Sequence, residues 1–336
     1  MSNGMTISEW IKALPDSQKS FPLLSFPSVS LIGESVFSVT HDAKKQAEGV
    51  VAIARELDLA AAVTMMDLSV EIEAFGAKLT TVDGEVPTVV DVLLSAEDDG
   101  VDGVEAMPTP KVGDGRTALY IEAASLAKSA ITDRPTFAGI IGPFSLAGRM
   151  TGVTEALMNC LVEEEFSHAI LAKVTAFLKE YAQAYKDAGL DGIVMAEPLA
   201  GLLSPLLEAE FSAPYVKEII SAVQDENFIV IYHNCGPNVV DMTESLSENG
   251  AAAYHFGDAV DLVAILDKMP QDKIVMGNIS PTNEFVNGTP ESMTAAVTAL
   301  LEKTERYRNF VLSSGCDIPP NAKWDNIRAF VNARET

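Results

Sequence analysis

Phe228-Ile-Val-Ile-Tyr-His-Asn-Cys-Gly236 is an apolar, β-branched run that ends in a histidine and a cysteine. A short run of this kind predicts a buried strand. His233 and Cys235 are two positions apart, so they project from the same face of that strand. The carboxyl ends of strands are where parallel α/β proteins keep their chemistry. The segment therefore predicts both a parallel sheet and a functional site at one edge of it.

Similar apolar runs recur along the chain and alternate with amphipathic helical stretches. The predicted strands are Ala62–Met66, Thr136–Gly142, Gly192–Ala196, Phe228–Tyr232, Ala251–Phe256, Ile274–Gly277 and Phe310–Ser313, with Val29–Ile32 as an eighth. The clearest predicted helices are Asp42–Glu56, Glu164–Ala188 and Pro290–Lys303. This alternation is typical of parallel strands joined by helical crossovers. Since the chain has no Gly-x-Gly-x-x-Gly motif and no P-loop, a (β/α)8 TIM barrel fits better than an open nucleotide-binding sheet.

We expect one barrel domain over residues 1–336 with two additions. The first 20 residues predict a helical extension lying over the barrel. Ala77–Val89, with Asp83-Gly84 at its centre, predicts an inserted β-hairpin, since Asp-Gly is a strong hairpin-turn signal.

Cys316 lies in Ser-Ser-Gly-Cys-Asp, directly after another predicted strand. In a closed or strongly curved sheet it can converge with His233 and Cys235. Two thiolates and an imidazole suit Zn²⁺, and three protein ligands leave a fourth position open, as in catalytic zinc sites. The alternative is a core histidine with two structural buried cysteines, but the position of all three at strand ends favours a metal.

Four further residues lie on predicted strands or at their ends, and three of them have two interpretations. Glu197 is a labile fourth ligand or proton acceptor, or else a carboxylate that caps a helix or anchors a loop. Asp67 orients substrate or handles a proton, or else it is an N-cap. His255 faces either the mouth or the core, and Asn278 is placed to hydrogen-bond substrate.

Bulk composition restricts the possible partners. The 336 residues carry a net charge of −25, from 48 acidic and 23 basic side chains. Nucleic acid and anionic membranes both require clustered cations, so neither is an expected partner. No run approaches the ~20 apolar residues that span a bilayer, and the N-terminus has no signal-peptide pattern. With three cysteines, an odd number, we expect reduced thiols and a cytoplasmic location.

Several segments together resemble the uroporphyrinogen decarboxylase superfamily. They are Asp67-Leu-Ser-Val-Glu-Ile-Glu-Ala-Phe-Gly76, Gly142-Pro-Phe-Ser-Leu-Ala147, the His-x-Cys strand, Met276-Gly-Asn-Ile-Ser-Pro281 and Ser314-Gly-Cys-Asp-Ile-Pro319. The closer likeness is to its corrinoid-dependent methyltransferases, such as the methylcobamide:coenzyme M and chloromethane enzymes. That resemblance implies a (β/α)8 barrel with zinc held by His233, Cys235 and Cys316.

Three differences from the decarboxylases also favour the methyltransferase branch. The decarboxylases grip tetrapyrrole carboxylates with an arginine-rich segment, whereas residues 21–28 contain no arginine. Arg149 stands where they usually have a tyrosine, and we expect it to contact substrate. Cys316 stands where they have a histidine. Asp67 matches their essential aspartate and does not discriminate between the branches.

The resemblance implies a zinc methyltransferase of one-carbon metabolism. It would move a methyl group between methylcobalamin, carried on a partner corrinoid protein, and a small thiol or methylated substrate. Two alternatives remain open: a porphyrinogen decarboxylase that needs no metal, and a non-catalytic zinc- or corrinoid-binding module.

Overall fold

The computed structural model describes residues 4–82 and 84–334. Seven parallel strands form one sheet, and two antiparallel strands form a separate hairpin. The strands of the described residues are β1 (Ala62–Val63), β2 (Leu79–Thr80), β3 (Thr88–Val89), β4 (Thr136–Ile141), β5 (Gly192–Ala196), β6 (Ile229–Asn234), β7 (Ala253–Phe256), β8 (Ile274–Ile279) and β9 (Phe310–Ser314). The sheet order is β1-β4-β5-β6-β7-β8-β9. Strands that follow one another in this order are joined by helices, which confirms the predicted TIM-barrel-like α/β class.

Helices surround the sheet. The α-helices of the described residues are α1 (Ile7–Ala13), α2 (Ser28–Ile32), α3 (Val36–His41), α4 (Ala43–Glu56), α5 (Val70–Ala74), α6 (Gly100–Ala106), α7 (Thr117–Ala130), α8 (Pro143–Thr151), α9 (Val153–Val162), α10 (Glu164–Asp187), α11 (Pro205–Phe211), α12 (Ala213–Val223), α13 (Thr243–Ser247), α14 (Leu262–Lys268), α15 (Pro290–Thr304) and α16 (Trp324–Asn332). The three strongest sequence-predicted helices are present as α4, α10 and α15. Their ends follow capping rules: Asp42 accepts N–H bonds at the start of α4, and Thr289 forms a capping box on α15.

Side chains of the strands alternate between two cores. Ile229 and Ile231 point into the barrel, where they pack with Val194 and Val311. Val230 and Tyr232 belong to the larger core between the strands and the outer helices. Because both faces of the sheet are buried, the sequences of the strands are continuous apolar runs.

One predicted strand is wrong. Val29–Ile32 lies in α2, which ends at Gly33 with a φ of +69°. Four consecutive apolar residues do not distinguish a short helix from a strand, and the glycine in a left-handed conformation is a helix-ending signal.

The seam between the two edge strands is instead filled by the extended segment 20–24. Phe21 N–H donates to Leu312 O on β9 at 2.9 Å, and Ser20 O accepts from Ala60 N–H, two residues before β1, at 3.0 Å. Because Pro22 has no N–H, this segment cannot complete a regular ladder. The eighth barrel position is therefore occupied by a segment without regular strand pairing.

The predicted N-terminal extension consists of α1 and a short 3₁₀ turn at Leu14–Ser17. Ile7, Ile11 and Leu14 are buried in the inner core, and Ser8 N–H donates to Glu226 O just before β6. The extension therefore closes the amino-terminal end of the barrel, and Met1 to Asn3 lie outside the described residues.

The inserted hairpin is present as β2 and β3, with Leu79 opposite Val89; Asp83 of its predicted turn lies outside the described residues. No helix within residues 4–82 and 84–334 is long and apolar enough to cross a bilayer.

Candidate metal centre

The candidate metal centre lies where β6 and β9 end. His233 continues the inward-facing series of β6 after Ile229 and Ile231, and Cys235 follows that strand directly. Cys316 comes two residues after the end of β9. All three residues therefore sit at the carboxyl-terminal end of the barrel, called the mouth below.

Three donor atoms, one each from His233, Cys235 and Cys316, lie within 4.8 Å of one another. Cys316 Sγ is 3.5 Å from His233 Nε2. His233 is buried, whereas both cysteines are half-buried. The structure thus brings together the three residues that the sequence predicted as ligands.

The arrangement fits a tetrahedral zinc ion. Zn–S bonds of about 2.3 Å and Zn–N bonds of about 2.0 Å place tetrahedral ligand atoms about 3.3–3.8 Å apart. Because the three donors lie within 4.8 Å of one another, no pair needs to approach by more than about 1.5 Å to meet that geometry. Partial exposure of the cysteines leaves one side of the cluster open for a fourth ligand.

A chain of hydrogen bonds orients the imidazole of His233. Phe21 O can only accept, so Ser313 Oγ–H donates to it at 2.5 Å. The oxygen of Ser313 must then accept from His255 Nε2–H, at 2.7 Å. Burial, followed by the nearby charge of His233, lowers the pKa of His255 well below its ordinary value, so its ring is neutral.

Neutral His255 presents an unprotonated Nδ1, which accepts from His233 Nδ1–H at 2.8 Å. In neutral His233 the lone pair is consequently on Nε2, the nitrogen that faces Cys316. Metal-ligating histidines characteristically have their second ring nitrogen bonded in this way, which fixes the tautomer.

The two cysteine side chains interact with each other. The interaction with Cys316, followed by that with His233, lowers the pKa of Cys235 against the opposing effect of burial. The same interaction and burial raise the pKa of Cys316. One thiolate is thus already favoured, and a thiolate is the form that binds metal.

A cavity of about 430 Å³ opens beside Cys235. Its wall is mostly apolar and includes Ile141, Val153 and Leu199, and Arg149 of α8 is the one cationic side chain among the described residues that line it. Arg149, expected to contact substrate, therefore shares a cavity with a candidate metal ligand.

Glu197 is fully buried and lies outside the ligand cluster. Its two oxygens accept from Phe144 N–H at 2.9 Å and Ser145 N–H at 2.6 Å, at the first turn of α8. Burial raises the pKa of Glu197 to about 7, and the α8 bonds oppose that rise. These contacts correspond to the capping interpretation.

Asp67 belongs to a buried polar cluster. One oxygen accepts from Arg116 at 2.6 Å and from the Tyr120 hydroxyl at 2.8 Å, and the other accepts from the N–H and hydroxyl of Ser69. Both oxygens are engaged, so in this arrangement Asp67 orders the loop after β1. Arg116 and Tyr120 lie far along the chain, and no spacing in the sequence pointed to them.

The remaining sequence candidates lie around the centre without lining the cavity. His255 is fully buried against His233, and Asn278 Nδ2 donates to Gly257 O and Val260 O, which holds the loop after β7. Glu71 was not assigned a role from sequence. It accepts from Ile141 N–H at 3.0 Å, and burial raises its pKa to about 7.

An α/β barrel with a histidine and two cysteines converging at its mouth defines a barrel protein with a candidate catalytic metal site. The chain belongs to the uroporphyrinogen decarboxylase (URO-D) family, whose sequence pattern matches residues 28–336.

The chain is similar to both methyltransferases and decarboxylases. It is 26% identical over 269 residues to methylcobamide:CoM methyltransferase MtbA of Methanosarcina acetivorans, covering 79% of this chain and 76% of that protein. It is 25% identical over 282 residues to uroporphyrinogen decarboxylase of Dichelobacter nodosus, covering 82% and 78%. Both relatives are enzymes, which supports an enzymatic function for this chain.

Among solved structures, a methyltransferase from Methanosarcina mazei superposes with a TM-score of 0.84. The match covers 98% of each chain at 20% sequence identity. Similarity at this level of identity establishes the shared fold.

Proposed function

We propose that this protein is a zinc methyltransferase that moves a methyl group between a corrinoid and a small thiol. The observation that carries the proposal is the convergence of His233, Cys235 and Cys316 at the barrel mouth. The similarity to methylcobamide:CoM methyltransferases supports it.

When bound, zinc would supply an open coordination position at which a substrate thiol is held as the thiolate. The chain's own residues prepare that position. His255 keeps the lone pair of His233 on Nε2, and the cysteines supply negative charge that holds the metal. The mostly apolar cavity beside Cys235 would hold the substrate next to that position.

In the transfer, the thiolate of the bound substrate would form a bond to the methyl carbon as the carbon–cobalt bond breaks, and the partner's corrinoid would keep the bonding pair. The reverse direction, from a methylated substrate to the reduced corrinoid, would use the same residues. The chain contains no Asp-x-His-x-x-Gly corrinoid-binding motif, so a partner protein would carry the corrinoid.

The cavity supports this function over tetrapyrrole decarboxylation. A porphyrinogen carries many carboxylates, whereas Arg149 is the one cation among the described residues lining the cavity beside Cys235. An ion with several charges would be desolvated there without partners, at a cost of several kcal/mol per charge.

Metal content tests the site directly. We expect about one zinc per chain in the wild type and its loss in Cys235→Ser and Cys316→Ser, because each change removes a thiolate ligand. Cys160→Ser is the matched control: Cys160 is buried in α9, where its thiol donates to Ala156 O, outside the cluster. Elemental analysis of the folded proteins gives the answer, and unchanged zinc in both ligand variants would refute the site.

Activity is then measured as loss of methylcobalamin absorbance in the presence of small thiols. Turnover should disappear on chelation and return when zinc is added. Uroporphyrinogen turnover by the chelated protein would contradict the proposal and favour the decarboxylase alternative. Tight zinc binding without transfer to any thiol would favour a non-catalytic module.

A further inference from the structure

Arg149 is the unusual feature of the cavity beside Cys235. It is half-buried, and it forms no hydrogen bond and no ion pair with any residue in the described part of the chain. Burial lowers the pKa of its guanidinium, while the charges of Glu71 and Asp67 oppose that effect. Its guanidinium donors lie at the cavity without a protein acceptor, so an anion bound in the cavity can accept hydrogen bonds from them.

The side chains around Arg149 indicate which other groups the ligand carries. Val153 and Leu202 line the same cavity from α9 and from the loop after β5, and Leu68, Ile141 and Leu199 extend the apolar wall. A volume of about 430 Å³ is in the range of pockets that hold drug-sized ligands. A very short thiol would leave most of this wall uncovered.

We propose that the cavity binds the non-reacting end of the substrate, and that this end is an oxyanion joined to the reacting sulfur by an extended hydrocarbon body. The carboxylate or sulfonate pairs with the planar donor fork of Arg149. The hydrocarbon body packs against the apolar wall, and the sulfur is presented beside Cys235. This inference rests on the proposed function and deepens it, because it names the class of substrate.

The expected changes in affinity indicate that both the charged group and the hydrocarbon body of the ligand contribute to binding. A hydrogen bond between charged groups typically changes affinity by about tenfold to a hundredfold. Each buried methylene adds about fourfold. A long-chain anionic thiol should therefore exceed both a long neutral thiol and a short anionic one.

The experiment uses protein loaded with cobalt(II), whose absorption reports thiolate coordination. The probes are mercaptohexanoate, its neutral counterpart mercaptohexanol, and the short anion mercaptoacetate. We expect mercaptohexanoate to bind the wild type at least about tenfold more tightly than either of the others. In Arg149→Gln its affinity should fall to that of mercaptohexanol, and Arg149→Lys should restore part of the preference. Arg306→Gln, at an exposed arginine paired with Asp267, is the matched control and should keep the full preference.

A second measurement reads the cavity without the metal. Calorimetric titration of metal-free protein should show hexanoate binding more tightly than hexanol, with the difference abolished in Arg149→Gln. Equal binding of charged and neutral probes by the wild type, or a preference that survives Arg149→Gln, would overturn the inference. Failure of cobalt to show cysteine coordination would instead refute the metal site, while the calorimetric result would still decide the role of Arg149.

Discussion

His233 illustrates how much of the site depends on single atoms. A buried histidine is more often a core residue than a ligand, and the sequence predicted His233 as a ligand only together with Cys235 and Cys316. In the structure its Nδ1 donates to His255, and its Nε2 faces Cys316. The second nitrogen is free for a metal because the first is already engaged.

The first prediction concerns His255. In His255→Phe, His233 Nδ1–H loses its acceptor at 2.8 Å and keeps only the backbone carbonyl of residue 255, at 3.3 Å. Zinc affinity should therefore fall about tenfold to a hundredfold, the usual effect of removing such a partner. Competition with a chromophoric chelator measures the affinity. His41→Gln, on the exposed side of α3, should bind zinc as the wild type does. Wild-type affinity in a folded His255→Phe protein would show that the hydrogen-bond chain has no part in ligand orientation.

The residues of this chain were visible to sequence reasoning to different degrees. His233, Cys235 and Cys316 stand out because their types and strand-end positions share one chemistry. Ser313 and the carbonyl of Phe21 do not, since their contribution depends on the packing of segment 20–24 against β9. His255 lies opposite His233 in the register of β6 and β7, and that register is set by tertiary packing.

At the scale of elements, α8 links the barrel wall to the cavity. It begins at Pro143 beside the mouth and carries Arg149 in its last turn. No side chain of α8 caps its own first turn; Glu197 does so from the end of the neighbouring strand β5. The position of Arg149 therefore depends on a carboxylate far away in sequence.

The second prediction follows from this cap. Glu197→Ala leaves two buried N–H groups without acceptors and should lower the free energy of unfolding by about 3 kcal/mol. Glu197→Gln keeps one acceptor oxygen and should lose about 1 kcal/mol. Urea denaturation measures both. Zinc content should be unchanged in each variant; a folded Glu197→Gln protein that has lost its zinc would instead support the labile-ligand interpretation.

The eighth barrel position, filled by segment 20–24, is where strand prediction from the sequence was wrong. The apolar run Val29–Ile32 resembled a strand, whereas the segment that fills the eighth position contains a proline. Its hydrogen bonds to Leu312 O and from Ala60 N–H exist only once both edges of the sheet have come together. A local pattern cannot report a role defined by two distant partners.

At the scale of the whole molecule, several carboxyls are buried although the surface is rich in acids. Glu71, Glu197 and Glu208 are each almost completely buried, and burial raises the pKa of each to about 7. Between about pH 4.5 and pH 7 the folded protein therefore holds protons that the unfolded chain has released. The free energy of unfolding should fall as pH rises through this window.

The third prediction isolates one of these groups. Glu208 accepts from the Ser245 hydroxyl, which an amide oxygen in Glu208→Gln can replace. The variant cannot ionise, so its stability relative to the wild type should increase by about 2–3 kcal/mol between about pH 5 and pH 8. Urea denaturation across this range provides the test, with Glu210→Gln, an exposed acid on the same helix, as control. Parallel pH profiles for wild type and Glu208→Gln would contradict it.

The sequence by itself determined the barrel class, the positions of the seven paired strands and the three candidate ligands. Hydrophobic periodicity and residue type are local properties, and each strand carries its own signal. Only the tertiary structure decided which segment closes the barrel, that Arg149 shares a cavity with Cys235, and which nitrogen of His233 is free. These features join positions such as His233 and Cys316, which are 83 residues apart. Curvature of the sheet brings such positions together, and no local pattern encodes that distance.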